Sequence, residues 1–151
     1  MQNVFDAKDA QEYINRINNL TPETQRKWGK MSVDQVLAHL NVAYDLTFTP
    51  EKFPKPSFIA KFLLSRFVKP KITNEIPYKQ SLPTSPVFII ADERNFEEEK
   101  AKLIGNIQRV QQLGKEAFEG KENINFGKMT AQGWNNMFAK HLNHHLEQFG
   151  V

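Results

Sequence analysis

The chain has 151 residues, no cysteine and a formal net charge of +3. These values predict one domain over residues 1–151 with a sizeable core, and they exclude disulfides, iron–sulfur clusters and thiol nucleophiles. Charges of both signs are spread along the chain, so no nucleic-acid partner is expected. No apolar run reaches the length of a membrane span, and the first residues lack a charged-then-apolar leader pattern, so the expected location is cytoplasmic.

The first apolar pattern runs from about Asp6 to Leu20, with Phe5, Tyr13, Ile14 and Ile17 on one side, and predicts a helix that gives way at Asn18-Asn19. Thr21-Pro-Glu-Thr24 reads as a short helical turn with Pro at its first position. Ser32-Val-Asp-Gln35 is a capping-box pattern that opens a second helix, continuing to about Thr47. On it Val36, His39, Ala43 and Leu46 follow at steps of three, four and three, which places His39 in a core-directed stripe.

Between Phe48 and Asp92 lie seven of the eight prolines, so this stretch predicts an irregular crossover rather than a further long helix. Within it, Ser57 to Phe67 reads as a short amphipathic helix with Phe58, Phe62 and Phe67 prominent. Lys52, Lys55, Lys61, Arg66, Lys69 and Lys71 surround it, opposed only by Glu51. Two readings fit: a lid packed over the mouth of the helices, or a helix lying on an anionic membrane surface. The lid accounts for the same residues without a bilayer, and no stable membrane association is expected. Its basic rim either attracts an anionic substrate or is simply a solvated face.

A third long helix is expected from about Arg94 to Phe118, with Phe96, Leu103, Ile107 and Val110 on its apolar side and Glu97-Glu98-Glu99 near its positive end. The last opens after Thr130 as N-cap and ends at Gly150. Along it Trp134, Phe138, His141, His145 and Phe149 follow at steps of four, three, four and four. Helices two and four also echo one another: Trp28-Gly-Lys-Met-Ser32 precedes His39-Leu-Asn, and Phe126-Gly-Lys-Met-Thr130 precedes His141-Leu-Asn. Chance produces such an echo; otherwise two similarly built helices donate ligands across one core.

His141 and His145, four apart, project from one helical face close enough for both imidazoles to reach one cation. An unpaired polar group in an apolar stripe costs about 1–3 kcal/mol, and a shared ion supplies a partner to each ring. With His39 from the facing helix they form a three-nitrogen set that leaves a position for water or substrate. The alternative is that His39 is a core histidine with one hydrogen bond and the other two lie on a helix flank. Gln148, three beyond His145 and seven beyond His141, shares their face and is the candidate to orient a ligand or to touch cofactor or substrate; otherwise it is an ordinary polar residue at a helix end. His144 is displaced around the helix and is expected on the flank; the alternative is that it replaces one of the three ligands. Asp45 and Glu147 point off the site face, so no carboxylate base is named. Leu142 stands where a zincin protease would place its glutamate after the first histidine.

These positions, His39 in the second helix and His141 with His145 in the fourth, closed by Gln148, resemble the DinB/YfiT-like metalloenzyme superfamily. More narrowly, Trp28-Gly-Lys-Met-Ser32, Leu82-Pro-Thr-Ser-Pro86, Phe96-Glu-Glu-Glu-Lys100 and the closing His144-His145-Leu-Glu-Gln-Phe-Gly150 resemble a branch of it known only as a domain of unknown function. The resemblance implies an all-α, up-down-down-up four-helix bundle, with the crossover and its short helix between helices two and three. It also implies a divalent ion, usually zinc or nickel and sometimes iron or manganese. Relatives include thiol transferases that use bacillithiol or mycothiol, and a thiol-dependent isomerase. The expected activity is therefore metal-dependent S-transfer from a low-molecular-weight thiol to a small electrophile, in which the ion lowers the pKa of the thiol. Its rival is a DinB-like module for stress or sensing that holds a ligand or metal without turnover. Homodimers are common among such proteins, but no surface of this chain is assigned to one.

Overall fold

Asp6 starts the first helix by accepting from the backbone N–H groups of Lys8 and Asp9, which satisfies two donors that the helix itself cannot pair. In the computed structural model, which describes all of residues 1–151, this helix is α1 (Ala7–Asn18). Tyr13, Ile14 and Ile17 are its buried face. Thr21–Thr24 is a turn and not the helical turn expected: the Thr24 N–H reaches the Thr21 carbonyl, while the Thr24 hydroxyl takes the Thr21 N–H, which closes the turn on itself. Helix α2 (Val33–Phe48) follows, with Gln35 reaching back to the Ser32 N–H as the capping-box pattern predicts.

The chain is mostly helical, and the crossover breaks into short pieces. A 3-10 turn (Pro50–Lys52) leads to α3 (Phe58–Leu63), which runs through one π-turn (Leu64–Val68) into α4 (Lys69–Thr73). A second 3-10 turn (Pro86–Phe88) closes the crossover. Residues 58–67 do not pack as a lid through their phenylalanines: Phe58, Phe62 and Phe67 are 87%, 60% and 58% exposed. The polar edge of this segment faces the protein instead. Lys61 pairs with Glu122, the Lys69 ammonium donates to the Phe126 and Lys128 carbonyls, and the Thr73 and Lys71 carbonyls accept from Asn136 and Lys140.

Helix α5 (Phe96–Leu113) is shorter than the apolar pattern suggested, because Gly114 at φ 72° turns the chain out of the helix. Beyond it lie a 3-10 turn (Lys115–Ala117) and a feature the periodicity did not reveal, a two-residue antiparallel ladder of β1 (Glu122–Asn123) with β2 (Gly127–Lys128). Helix α6 (Ala131–Gln148) begins at Thr130, whose hydroxyl accepts from the Gly133 N–H. Helices α2 and α5 pack together, α1 packs on α5 and α6, and α2 packs on α6. Between them lies one cluster of 24 buried apolar residues. Tyr44 stacks on Phe138 with ring centroids 4.7 Å apart and planes 7° apart, locking α2 against α6 just beside the histidines. No helix is long and apolar enough to cross a membrane.

Candidate metal centre

Helix α2 contributes His39 and α6 contributes His141 and His145, each through the stripe that buries its helix. Val36, Ala43 and Leu46 on one helix and Trp134, Phe138 and Phe149 on the other are buried around them. Tight apolar packing therefore sets where the imidazoles meet. The ring centroids lie 4.9 Å (His39–His141), 4.6 Å (His39–His145) and 5.0 Å (His141–His145) apart. One ligand nitrogen from each ring lies within 4.8 Å of the others. The cluster can hold a metal ion.

Hydrogen bonds decide which nitrogen of each ring is bare. His39 Nδ1 lies 2.8 Å from the Phe88 carbonyl oxygen, which only accepts, so Nδ1 carries the proton and Nε2 presents its lone pair. His145 is set by a longer relay. The Gln148 amide nitrogen donates to the Trp28 carbonyl at 2.8 Å, which turns the amide oxygen to His145 Nδ1, also at 2.8 Å. Nδ1 of His145 is therefore protonated and its Nε2 is bare. His141 Nε2 lies 2.9 Å from His39 Nε2; since the latter has no proton to give, the two either share the proton of His141 or turn their lone pairs to one cation.

All three rings are held neutral. Burial lowers the pKa of His39; burial and then the neighbouring His39 and His145 hold His141 well below its ordinary value; burial and then His39 bring His145 down to about 3. Neutral imidazole is the form that binds a metal, so the ordinary cost of deprotonating the ligands near neutral pH is absent.

Gln148 is buried beside the cluster, with its amide oxygen 2.8 Å from His145 Nδ1. His144 stands outside the three-nitrogen set: its ring packs edge-on against Trp28, Tyr78 and His145. Asp45 pairs with Lys102 at 2.7 Å and Glu147 is exposed, and neither belongs to the cluster. Three participants escaped sequence reasoning. The Phe88 and Trp28 carbonyls act through the backbone, which no side-chain pattern encodes. Gly29, at φ 81°, has the Gln148 amide where its Cβ would stand. The echo of Trp28-Gly29 with Phe126-Gly127 was the available signal, since Gly127 also has positive φ and both segments lead into the cap of a histidine-bearing helix.

His144 also lines a pocket of about 280 Å³, with Glu75, Tyr78, Lys140, Asn143 and Glu147 among its walls. Lys140 is buried there, donating to the Lys71 carbonyl and Asn74 Oδ1 at 2.7 Å each, with its ammonium 4.4 Å from the Tyr78 ring centre. Burial lowers its pKa from the ordinary lysine value.

The family model described as "Protein of unknown function (DUF1569)" matches residues 2–150. The chain belongs to this family, whose description assigns no activity. No curated protein and no solved structure matches the chain.

Proposed function

We propose that this protein is a DinB-like metalloenzyme in which His39, His141 and His145 hold one divalent ion. The observation that carries the reading is the pair of acceptors, Phe88 O and Gln148 Oε1, that keep the ring proton on Nδ1 of His39 and His145 and leave both Nε2 atoms bare. A histidine buried only for packing needs one partner; here the partners are placed so that the remaining nitrogens converge. Contacts of α1 with α5, α5 with α2, α2 with α6 and α6 with α1 support the up-down-down-up four-helix bundle. The long crossover between the neighbours α2 and α5 suits two helices that run the same way.

Zinc or nickel is the preferred ion, since three imidazoles suit both; iron and manganese are the alternatives. When bound at a three-nitrogen site it supplies a Lewis acid with an open position, able to lower the pKa of a thiol or a water. The residues of the chain do the rest. Gln148 and the Phe88 carbonyl keep two ligands in their binding tautomer, and the Phe88 ring packs against the cluster, 5.3 Å from His39 and 5.8 Å from His141. The reaction we assign is S-transfer from a low-molecular-weight thiol to a small electrophile. The absence of cysteine from the chain means the thiol comes with the cosubstrate. The pocket walled by Tyr78, Lys140 and His144, whose ring lies 4.9 Å from that of His145, offers space for that molecule.

Thiol consumption with a panel of chlorinated and epoxide electrophiles, compared between the wild type and His141→Ala, tests the assignment. Metal-dependent consumption lost in the variant supports transfer. Equal background rates from both, with metal bound to the wild type, would make the protein a non-catalytic binding module.

A further inference from the structure

Residues 57–73 are built inside out. Ala60, Lys61, Leu64, Ser65, Lys69, Ile72 and Thr73 lie on the partly covered side, while Phe58, Ile59, Phe62, Leu63, Arg66, Phe67 and Lys71 are exposed. In a segment packed for its own stability the phenylalanines turn inward and the lysines outward. Here the lysine contacts reported above hold the segment to β1 and β2, and the apolar side chains are left for something else.

The π-turn sharpens the effect. Phe58 and Phe62 are four apart, but Phe67 follows five later, which in an α-helix would swing it off their face. The turn from Leu64 to Val68, closed by the Lys69 N–H on the Leu64 carbonyl, accommodates the extra residue and keeps Phe67 outward with the other two. Three aromatic rings, with Ile59 at 70% and Leu63 at 47% exposure, make a larger continuous apolar surface than scattered surface residues provide.

Charge selects the occupant. Arg66 and Lys71 lie on the same outward stretch, Lys52 and Lys55 are exposed on its approach, and the exposed nearby acids are Glu51, Glu75 and Glu122, the last paired with Lys61. A second copy docked face to face would bring the same set of cations to the interface, so the seam would carry an excess of positive charge from both partners. An acidic lipid surface meets the same cations with opposite charge and accepts the phenylalanines among its acyl chains. We infer that the outward face of residues 58–71 is a docking surface for an anionic phospholipid bilayer, on which the protein adsorbs reversibly. This placement is independent of whether the histidines bind metal.

Co-sedimentation of the full chain with vesicles of phosphatidylcholine alone, and of phosphatidylcholine mixed with phosphatidylglycerol, reads the inference. Binding is expected to the mixed vesicles, falling as salt is raised. The double substitution Phe58→Ser with Phe62→Ser lowers the partition coefficient about tenfold or more, and Arg66→Glu with Lys71→Glu abolishes the preference for the anionic vesicles. These side chains are exposed, so circular dichroism should show every variant folded. No sedimentation with either vesicle overturns the inference. So does equal, salt-insensitive binding to both, and so does a dimer in light scattering that the phenylalanine substitutions dissociate while vesicles leave the wild type unbound.

Discussion

Gln148 sets the tautomer of His145 from a backbone carbonyl: its amide nitrogen is committed to Trp28 O, so only its oxygen can face His145 Nδ1, each contact being 2.8 Å. The imidazole is therefore oriented by a chain of donors and acceptors that begins outside α6.

Gln148→Leu breaks that chain while roughly keeping volume. The affinity for zinc should fall about 10–100-fold, the usual effect of losing a partner that orients a metal ligand. The unpaired groups left behind should lower stability by about 1–3 kcal/mol. Competition with a chelator and a denaturant titration check the two.

Gly29→Ala should act on the same residue from the other side. The added methyl falls on the Gln148 amide, and φ 81° is strained for alanine. Stability should drop by about 1–2 kcal/mol, and zinc affinity should drop in the direction of Gln148→Leu. If both act through one contact, the double substitution should weaken zinc binding by less than the product of the two.

The metal-free protein should lose stability in acid. His39, His141 and His145 all have folded pKa values below the unfolded value of about 6.5. The unfolded chain takes up protons that the folded chain refuses. The contribution of these rings is thus fully present above about pH 6.5 and is lost as pH falls, for His145 down to a pKa of about 3. Each ring that stays neutral costs about 1.4 kcal/mol per pH unit in that window. Thermal melts of chelated protein between neutral and mildly acidic pH should show a falling midpoint, with a shallower slope in His145→Gln.

His141 should exchange tautomers on metal binding. Without an ion its Nε2 proton bridges to His39 Nε2, 2.9 Å away; with one, the proton belongs on Nδ1. Nitrogen-15 shifts of the imidazoles should report that change for His141 and none for His39 or His145, whose Nδ1 protons are already fixed by Phe88 and Gln148.

Lys140→Met should loosen the crossover. Its ammonium carries two hydrogen bonds, to Lys71 O and Asn74 Oδ1, and bonds to a charged group contribute about 1.5–3 kcal/mol each. Hydrogen exchange should rise in residues 69–76 while the amides of α2 and α5 stay protected.

The three histidines were legible because each sits in a stripe whose other members are apolar, so helical periodicity alone puts the rings on the core-facing sides of their helices. The caps at Ser32 and Thr130 were legible for a similar local reason. What periodicity does not contain is the path of the backbone between helices. The Phe88 carbonyl reaches His39 only because the crossover folds back over α2, and the ladder of β1 with β2 is too short to alternate. Phe58, Phe62 and Phe67 suggested burial by their composition, yet lysine contacts to β1 and β2 turn them outward. Composition gives the amphipathicity of a segment, and tertiary anchoring decides which side faces in.

The most direct test is the metal content of protein purified without a histidine tag. One divalent ion per chain is predicted in the wild type, markedly less in His39→Ala, His141→Ala and His145→Ala, with the variants still folded by circular dichroism. A metal-free wild type that takes up no zinc or nickel on addition, or a triple alanine variant that retains the ion, would contradict a centre built from these three imidazoles.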